Sequence, residues 1–88
     1  MPFIRLRVRS YVVMHGYDAE NREVEERVEQ AAFTDKLVAA DRILSVSERY
    51  VLTTYAAGRL IYWEYDGGLA ALTAQLERAG LLAPMPAP

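Results

Sequence analysis

The sequence has 88 residues, of which 52% are hydrophobic and 25% charged, with a formal net charge of −2 at pH 7 and no cysteine. This composition predicts one globular domain over residues 1–82, and it excludes disulfides, iron–sulfur clusters and thiol catalysis. The acidic balance argues against a general attraction to nucleic acid or anionic membranes, and no apolar run approaches the roughly 20 residues of a membrane helix. We therefore expect no membrane partner and a cytoplasmic location.

Apolar and polar residues alternate from Phe3 to Met14, which predicts a half-buried β-strand. An apolar face carries Ile4, Leu6, Val8, Val12 and Met14. The opposite face carries Arg5, Arg7, Arg9, Tyr11 and Val13. Residues 18–21 (Asp-Ala-Glu-Asn) then suit a tight hairpin loop, because Asp starts turns and Asn tolerates the left-handed conformation.

Residues 22–33 fit two periods. Read with a helical period, Val24 and Val28 belong to a thin apolar stripe in a Glu-rich segment, whereas read with period two the valines face inward and the charges outward. We favour the strand, because the preceding loop is hairpin-like. An antiparallel return would also set Glu25 and Glu29 near the arginines of the first strand.

A turn is predicted at residues 34–36 (Thr-Asp-Lys), followed by two short apolar pieces around Asp41, of which the second is a strand through Leu44 and Val46. Residues 48–65 predict a β-hairpin with a three-residue loop over 56–58, in which a type I turn through the two alanines is followed by a left-handed glycine. That loop fixes the register, so Val51 is opposite Trp63 and Thr53 is opposite Ile61.

Neither face of this second hairpin is polar, so each face needs a cover. Two covers are possible for the face that carries Trp63: the first hairpin folds over it and the indole is core, or a second copy of the chain or a larger protein covers it. The mixture of aromatic, aliphatic and guanidinium groups is typical of buried protein interfaces, and we favour a homodimer. The predicted interface consists of Val51, Tyr55, Arg59, Ile61, Trp63 and Tyr65.

The last element predicted is a helix with Leu69, Leu72 and Leu76 on one stripe. Asp66 is a candidate for its N-cap and Gly80 for its left-handed end. Residues 83–88 form a Pro-rich tail that we expect to be flexible. The predicted fold is therefore α+β: an antiparallel, twisted or barrel-like sheet of about five strands with one C-terminal helix.

The sequence offers no catalytic, metal or cofactor site. The single histidine, His15, has no cysteine or second histidine at metal-ligand spacing, and no serine has the context of a nucleophile. The glycine pair at residues 67–68 before the helix offers only a weak signal for anion binding. The candidate nucleic-acid contacts are Arg5, Arg7, Arg9 and Tyr11, because arginines on one strand face are spaced like successive phosphates; the alternative is that a neighbouring strand neutralises them.

Residues 37–76, LVAADRILSVSERYVLTTYAAGRLIYWEYDGGLAALTAQL, contain an Asp-x-Ile strand, a Tyr-starting strand that ends at a Gly turn, and a Leu-containing helix. This order resembles LytTR-type DNA-binding domains, and it is also similar to FlbD-like flagellar regulators. The matching residues are Asp41, Ile43, Tyr50, Thr54, Gly58, Leu69 and Leu72. They define a fold rather than read bases, so the resemblance implies strands followed by one helix.

From these features we expect a small non-enzymatic protein-interaction or regulatory module that self-associates through an aromatic sheet face. The alternative is a transcriptional regulator that binds nucleic acid through the arginines of the first strand.

Overall fold

The computed structural model describes residues 2–83, so five of the six residues of the predicted tail lie outside the described residues. These described residues form six strands and one helix, which confirms the predicted α+β fold. The strands are β1 (Phe3–Tyr17), β2 (Glu23–Val28), β3 (Thr34–Ala39), β4 (Ile43–Val46), β5 (Tyr50–Thr54) and β6 (Leu60–Tyr65), and the helix is α1 (Gly68–Arg78). Short 3₁₀ turns at Ala40–Arg42 and Ala56–Gly58 join β3 to β4 and β5 to β6.

All strand pairs are antiparallel, in the order β2-β1-β6-β5-β4, with β3 also paired to β1. Val8 pairs with Tyr65 of β6 and with Thr34 of β3, so these two strands lie on opposite edges of β1. Strands β2 and β3 therefore share one edge of the long first strand. The sixth strand, beyond the five or so that the sequence predicts, is β3, whose first residues were predicted as a turn.

The sheet is strongly curled. Strands β3 and β4 lie at opposite ends of the sheet, four strand spacings apart, which is about 19 Å on a flat sheet. The 3₁₀ turn Ala40–Arg42 connects them, and its three residues rise by only about 2 Å each. Because this connection is far too short to span a flat sheet, the sheet must curl to bring β3 and β4 together. Within residues 2–83, however, β3 and β4 form no ladder, so the sheet is open and is not a closed barrel.

A β-bulge in β1 changes which side chains face the core. Val8 pairs with Tyr65, but the next pair along β6 is Tyr11 with Trp63, so Arg9 and Ser10 together oppose a single residue. Tyr11 therefore faces the same side as Val8. The strict alternation predicted for Phe3 to Met14 is wrong beyond the bulge: Tyr11 and Val13 lie on the inner face of the curl, and Val12 and Met14 on the outer face.

The core lies on the inner face of the curled sheet, at the end that α1 covers. Strands from both ends of the sheet contribute to it, together with Leu72, the one helix residue that is buried. Its buried members are Ile4, Leu6, Val8, Val38, Val51, Tyr65 and Leu72. The curl and the helix thus supply most of the cover that the inner face needs.

Both predicted hairpins are present. Residues 22–33 contain strand β2, and the loop before it has Asn21 in the left-handed conformation at φ 62°. The predicted register of β5 and β6 is confirmed, with Val51 opposite Trp63. In the loop between them, Ala57 adopts the left-handed conformation as well as Gly58, at φ 60° and 73°. The turn predicted at residues 34–36 is wrong, because these residues begin β3.

The helix ends as predicted but begins differently. At its end, the amide of Gly80 donates to the Glu77 carbonyl and that of Leu81 to the Leu76 carbonyl, which is a Schellman ending. At its start, Gly67 holds the N-cap position without any side-chain cap, at φ 103°. Asp66 does not cap the helix.

The acceptor at the helix start comes from another part of the chain. The carboxylate of Glu48, in the β4–β5 turn, accepts the Leu69 amide at 3.3 Å. Gly68 adopts φ 79°, a conformation that favours glycine, and a Cβ there would lie 2.7 Å from the same carboxylate and displace it.

Candidate interaction cleft beside Trp63

The arginines of β1 lie beside carboxylates from neighbouring strands. Arg7 lies 3.7 Å from both Asp35 of β3 and Asp66 after β6. Arg9 donates to Glu64 of β6 at 2.8 Å. The predicted partners Glu25 and Glu29 do not form these pairs, because β2 pairs with the second half of β1 and β3 with the first half. Tyr11 faces the opposite side of the strand, so the four candidate nucleic-acid contacts do not share a face.

Glu64 joins two arginines. Its side chain is 12% exposed and accepts hydrogen bonds from Arg9 at 2.8 Å and from Arg49 at 3.4 Å. The hydrogen bond from Arg9 is the largest effect, and together with Arg49 it outweighs burial and holds the pKa of the Glu64 carboxyl below its ordinary value. The same hydrogen bond raises the pKa of Arg9.

We predict that Glu64→Gln lowers stability near neutral pH and that this loss fades in acid. The pKa of Glu64 is lower in the folded protein than the ordinary carboxyl pKa. The stability that the Glu64 carboxylate contributes is therefore fully present above the ordinary pKa and is lost as the pH falls through the folded-state pKa. Urea unfolding of both proteins across the acid range measures the difference. Glu77→Gln, at an exposed helix position, is the matched control. A difference that does not change with pH would contradict the prediction.

Three residues of the predicted interface are buried by the chain itself. Val51, Ile61 and Tyr65 are 0%, 1% and 5% exposed, so the curled sheet and the helix cover them without a second copy. The Tyr65 hydroxyl donates to the Ser47 carbonyl at 2.7 Å, and burial raises its pKa. These three residues therefore stabilise the fold by burial, because a sheet that curls this far encloses its own inner face.

The other three residues of the predicted interface remain accessible. Trp63 is half-buried. The Tyr11 and Trp63 ring centroids are 4.8 Å apart, and the Lys36 ammonium lies 4.4 Å from the centroid of the Trp63 ring. Tyr55 is 39% exposed, and the Arg59 guanidinium lies 5.1 Å from its ring. Tyr55 and Trp63 both lie at the end of the inner face that α1 does not cover.

An open cleft of about 310 Å³ lies there, between β3 and the end of β5. Its volume is within the range of ligand pockets. Arg42 reaches across the end of β5, where its Nε donates to the Thr54 hydroxyl at 3.2 Å. The lining residues are Phe3, Lys36, Leu37, Val38, Ala39, Arg42, Thr53, Thr54, Tyr55, Ala56, Ile61 and Trp63. We call this region the Trp63 cleft.

The Trp63 cleft combines exposed apolar side chains with positive charge. Phe3 and Leu37 are 65% and 60% exposed, the highest values among the large aliphatic and phenylalanine side chains described. Lys36 and Arg42 are basic, and none of the described residues that line the cleft is acidic. A concave surface of this composition suits an interaction partner rather than solvent.

A second groove lies between β4 and α1, with a volume of about 420 Å³. Its lining is almost entirely aliphatic and includes Leu44, Leu69 and Leu82, which are 54%, 39% and 42% exposed. Among residues 2–83, no charged side chain lines it. The groove therefore offers apolar surface but no feature that selects a particular ligand.

Other sequence signals have structural partners. The helix start after residues 67–68 already holds the Glu48 carboxylate in place of an external anion. His15 lies between Glu26 and Arg59, at 3.1 and 3.2 Å. Within residues 2–83, no cluster of His, Cys, Asp and Glu is suited to hold a metal ion, and no helix is long and apolar enough to cross a membrane.

Sequence reasoning missed Phe3, Lys36, Leu37 and Arg42 as members of the site. Lys36 and Trp63 are the only lysine and the only tryptophan of the chain, but nothing in their spacing indicates that they touch. Each of them faces inward on a different strand, and β1 lies between the two strands. The available signal was the Thr-Asp-Lys segment, which reads equally well as a turn or as the start of a strand.

No family model matches the chain, and no curated protein or solved structure is significantly similar to it.

Proposed function

We propose that this protein is a small non-enzymatic interaction module that binds a partner protein through the Trp63 cleft. One observation carries the proposal. At one open end of the sheet, the most exposed Phe and Leu side chains lie together with a half-buried tryptophan and with an edge of β3 that has no strand partner within residues 2–83. Burying such a surface contributes roughly 25 cal/mol per Å² of apolar area. Aromatic and arginine residues of this kind are those enriched at the centres of interfaces.

A larger protein fits the cleft better than a second copy does. Three of the six residues that motivated a homodimer are buried within one chain. Only Tyr55, Arg59 and Trp63 of that set remain accessible to a partner. If two identical clefts faced each other, Lys36 and Arg42 of one chain would approach the same cations of the other. Like charges placed opposite each other are unfavourable, so an isologous dimer through the cleft is disfavoured.

Photo-crosslinking tests the proposal by position. A photoreactive phenylalanine analogue replaces Leu37 in the cleft or, as a control, Ala70 on the exposed surface of α1. We expect irradiation in the native host to give a discrete adduct from position 37 and none from position 70. The adduct should be sensitive to protease and resistant to nuclease. Equal adducts from both positions, or an adduct that nuclease removes, would contradict the proposal.

A further inference from the structure

Building on the proposed function, we infer that the partner segment is an extended strand that pairs with the free edge of β3 and carries acidic side chains toward Lys36 and Arg42. The inference concerns the chemistry of the partner. It rests on three features that the Trp63 cleft has within residues 2–83: a strand edge without a strand partner, cations without a carboxylate partner, and aromatic rings that are already in contact with other groups.

The first feature is the strand edge. Within residues 2–83, β3 pairs with β1 alone, so its other edge has backbone donors and acceptors without a strand partner. Four consecutive residues of β3, 36–39, line the cleft. Side chains alternate between the faces of a strand, so a consecutive run of lining residues is the pattern expected of a cleft that follows the strand edge. An added strand is the ligand that such an edge accepts best.

The second feature is the distribution of charge. Five of the ten basic residues form salt bridges with carboxylates: Arg7, Arg9, Arg22, Arg27 and Arg49. Within the described part of the chain the other five have no such partner, and three of these five, Lys36, Arg42 and Arg59, lie in or beside the cleft. The one acidic residue of β3, Asp35, is paired with Arg7. Asp41 lies in the turn beside Arg42 but does not line the cleft, so the described lining is positive and complements an acidic segment.

The alternation of β3 fixes the pattern of the partner. Lys36 lies on the inner face above Trp63, whereas Leu37 lies on the outer face with Phe3. In an antiparallel pair, directly opposite residues share a face, and opposite charges or apolar groups at these positions stabilise the pair. The partner strand therefore has an acidic residue opposite Lys36 and an apolar residue opposite Leu37.

The third feature is the occupancy of the aromatic rings, which argues against single-stranded nucleic acid. Base stacking needs accessible ring faces. The Trp63 ring is already in contact with Lys36 and Tyr11, and the Tyr55 ring with Arg59. A carboxylate needs no ring face, because it only has to reach the ammonium of Lys36 or the guanidinium of Arg42.

Binding of synthetic peptides tests the inference, with Trp63 fluorescence as the readout because it is the only tryptophan. The probes are a short labelled peptide in which Glu and Val alternate, the same peptide with Gln for Glu, the same peptide with Lys for Glu, and an oligothymidylate. We expect the Glu peptide to bind, to change the Trp63 emission and to shift the backbone amide NMR signals of residues 34–39. The Gln peptide should bind about fivefold to tenfold more weakly, and the Lys peptide should not bind.

A mutant cycle attributes the charge effect to one side chain. Lys36→Gln should weaken binding of the Glu peptide about threefold to fivefold and leave binding of the Gln peptide unchanged. Arg78→Gln removes the same charge from the end of α1, outside the cleft, and should change neither. An equal effect of Lys36→Gln on both peptides would mean a merely structural role for Lys36 and would overturn the inference.

The remaining outcomes separate the inference from the proposed function. If the Lys peptide binds as well as the Glu peptide and shifts the amides of residues 34–39, the cleft binds peptides but the acidic partner is wrong. If only oligothymidylate binds, both proposals fail. A mass of two chains by light scattering without peptide, lost in Lys36→Gln, would identify a second copy as the occupant and overturn the inference, as would absence of Glu-peptide binding up to about 1 mM.

Discussion

Replacing Ile61 by alanine is expected to lower the free energy of unfolding by about 2–5 kcal/mol, a large fraction of the 5–15 kcal/mol that is typical of a single domain. Ile61 is 1% exposed, so the substitution removes three carbons from a site that the chain itself encloses. The cost combines the lost transfer free energy of those carbons with the cavity they leave. Urea unfolding followed by circular dichroism measures it.

Leu44→Ala is the matched control, because it also removes three carbons but from a side chain that is 54% exposed. Its expected cost is below about 1 kcal/mol. The dependence on protein concentration is the second readout. Because Ile61 is buried within one chain, the unfolding midpoint should not depend on concentration. A midpoint that rises with concentration would show that a second copy contributes the cover, as the sequence led us to expect for this face.

Local patterns predicted much of the fold. The loop over residues 56–58 has a length that determines the register of its hairpin, and the predicted pair of Val51 with Trp63 follows from it. Gly80 likewise marks the end of α1, because a left-handed residue after the last turn satisfies the final carbonyls. In both places the structure depends on a few adjacent residues, which a sequence displays directly.

Features that depend on distant parts of the chain were not predictable. Ser10 interrupts the apolar side of the alternating pattern, but one polar residue does not locate a bulge, and the bulge at Arg9 and Ser10 reverses the faces of Tyr11 and Val13. The helix start is another case: Asp66 is a favourable capping residue by type, but Gly67 takes the N-cap position and the Asp66 carboxylate pairs with Arg7. Glu48 from another turn accepts the Leu69 amide instead. Partners far apart in sequence decide both features.

The candidate site was predicted only in part, for the same reason. Tyr55, Arg59 and Trp63 were identified from the composition of one hairpin, and they lie in or beside the Trp63 cleft. The members from β1 and β3 were not, because they reach the cleft only after β1 has paired with β3 on one edge and with β6 on the other. Burial of Val51 and Ile61 followed from the curl of the sheet, which the short connection between β3 and β4 imposes.

The second large effect is expected at the contact between helix and sheet, where Leu72→Ala should cost about 2–5 kcal/mol. Leu72 is 3% exposed and is the one buried residue of α1, in the same cluster as Ile4, Val38 and Val51. Most of the stability of a helix this short comes from packing rather than from its own propensity. Loss of this side chain therefore weakens both the helix and the inner face that it covers.

Leu69→Ala is the control on the same helix, because Leu69 is 39% exposed and its truncation should cost less than about 1 kcal/mol. Circular dichroism at helical wavelengths follows α1, and Trp63 fluorescence follows the opposite end of the inner face. Since one cluster joins helix and strands, the two signals should change together in Leu72→Ala, at a lower urea concentration than in the unsubstituted protein. Loss of the helical signal before the fluorescence changes would mean that α1 unfolds as a separate unit and that the sheet supports the Trp63 cleft without it.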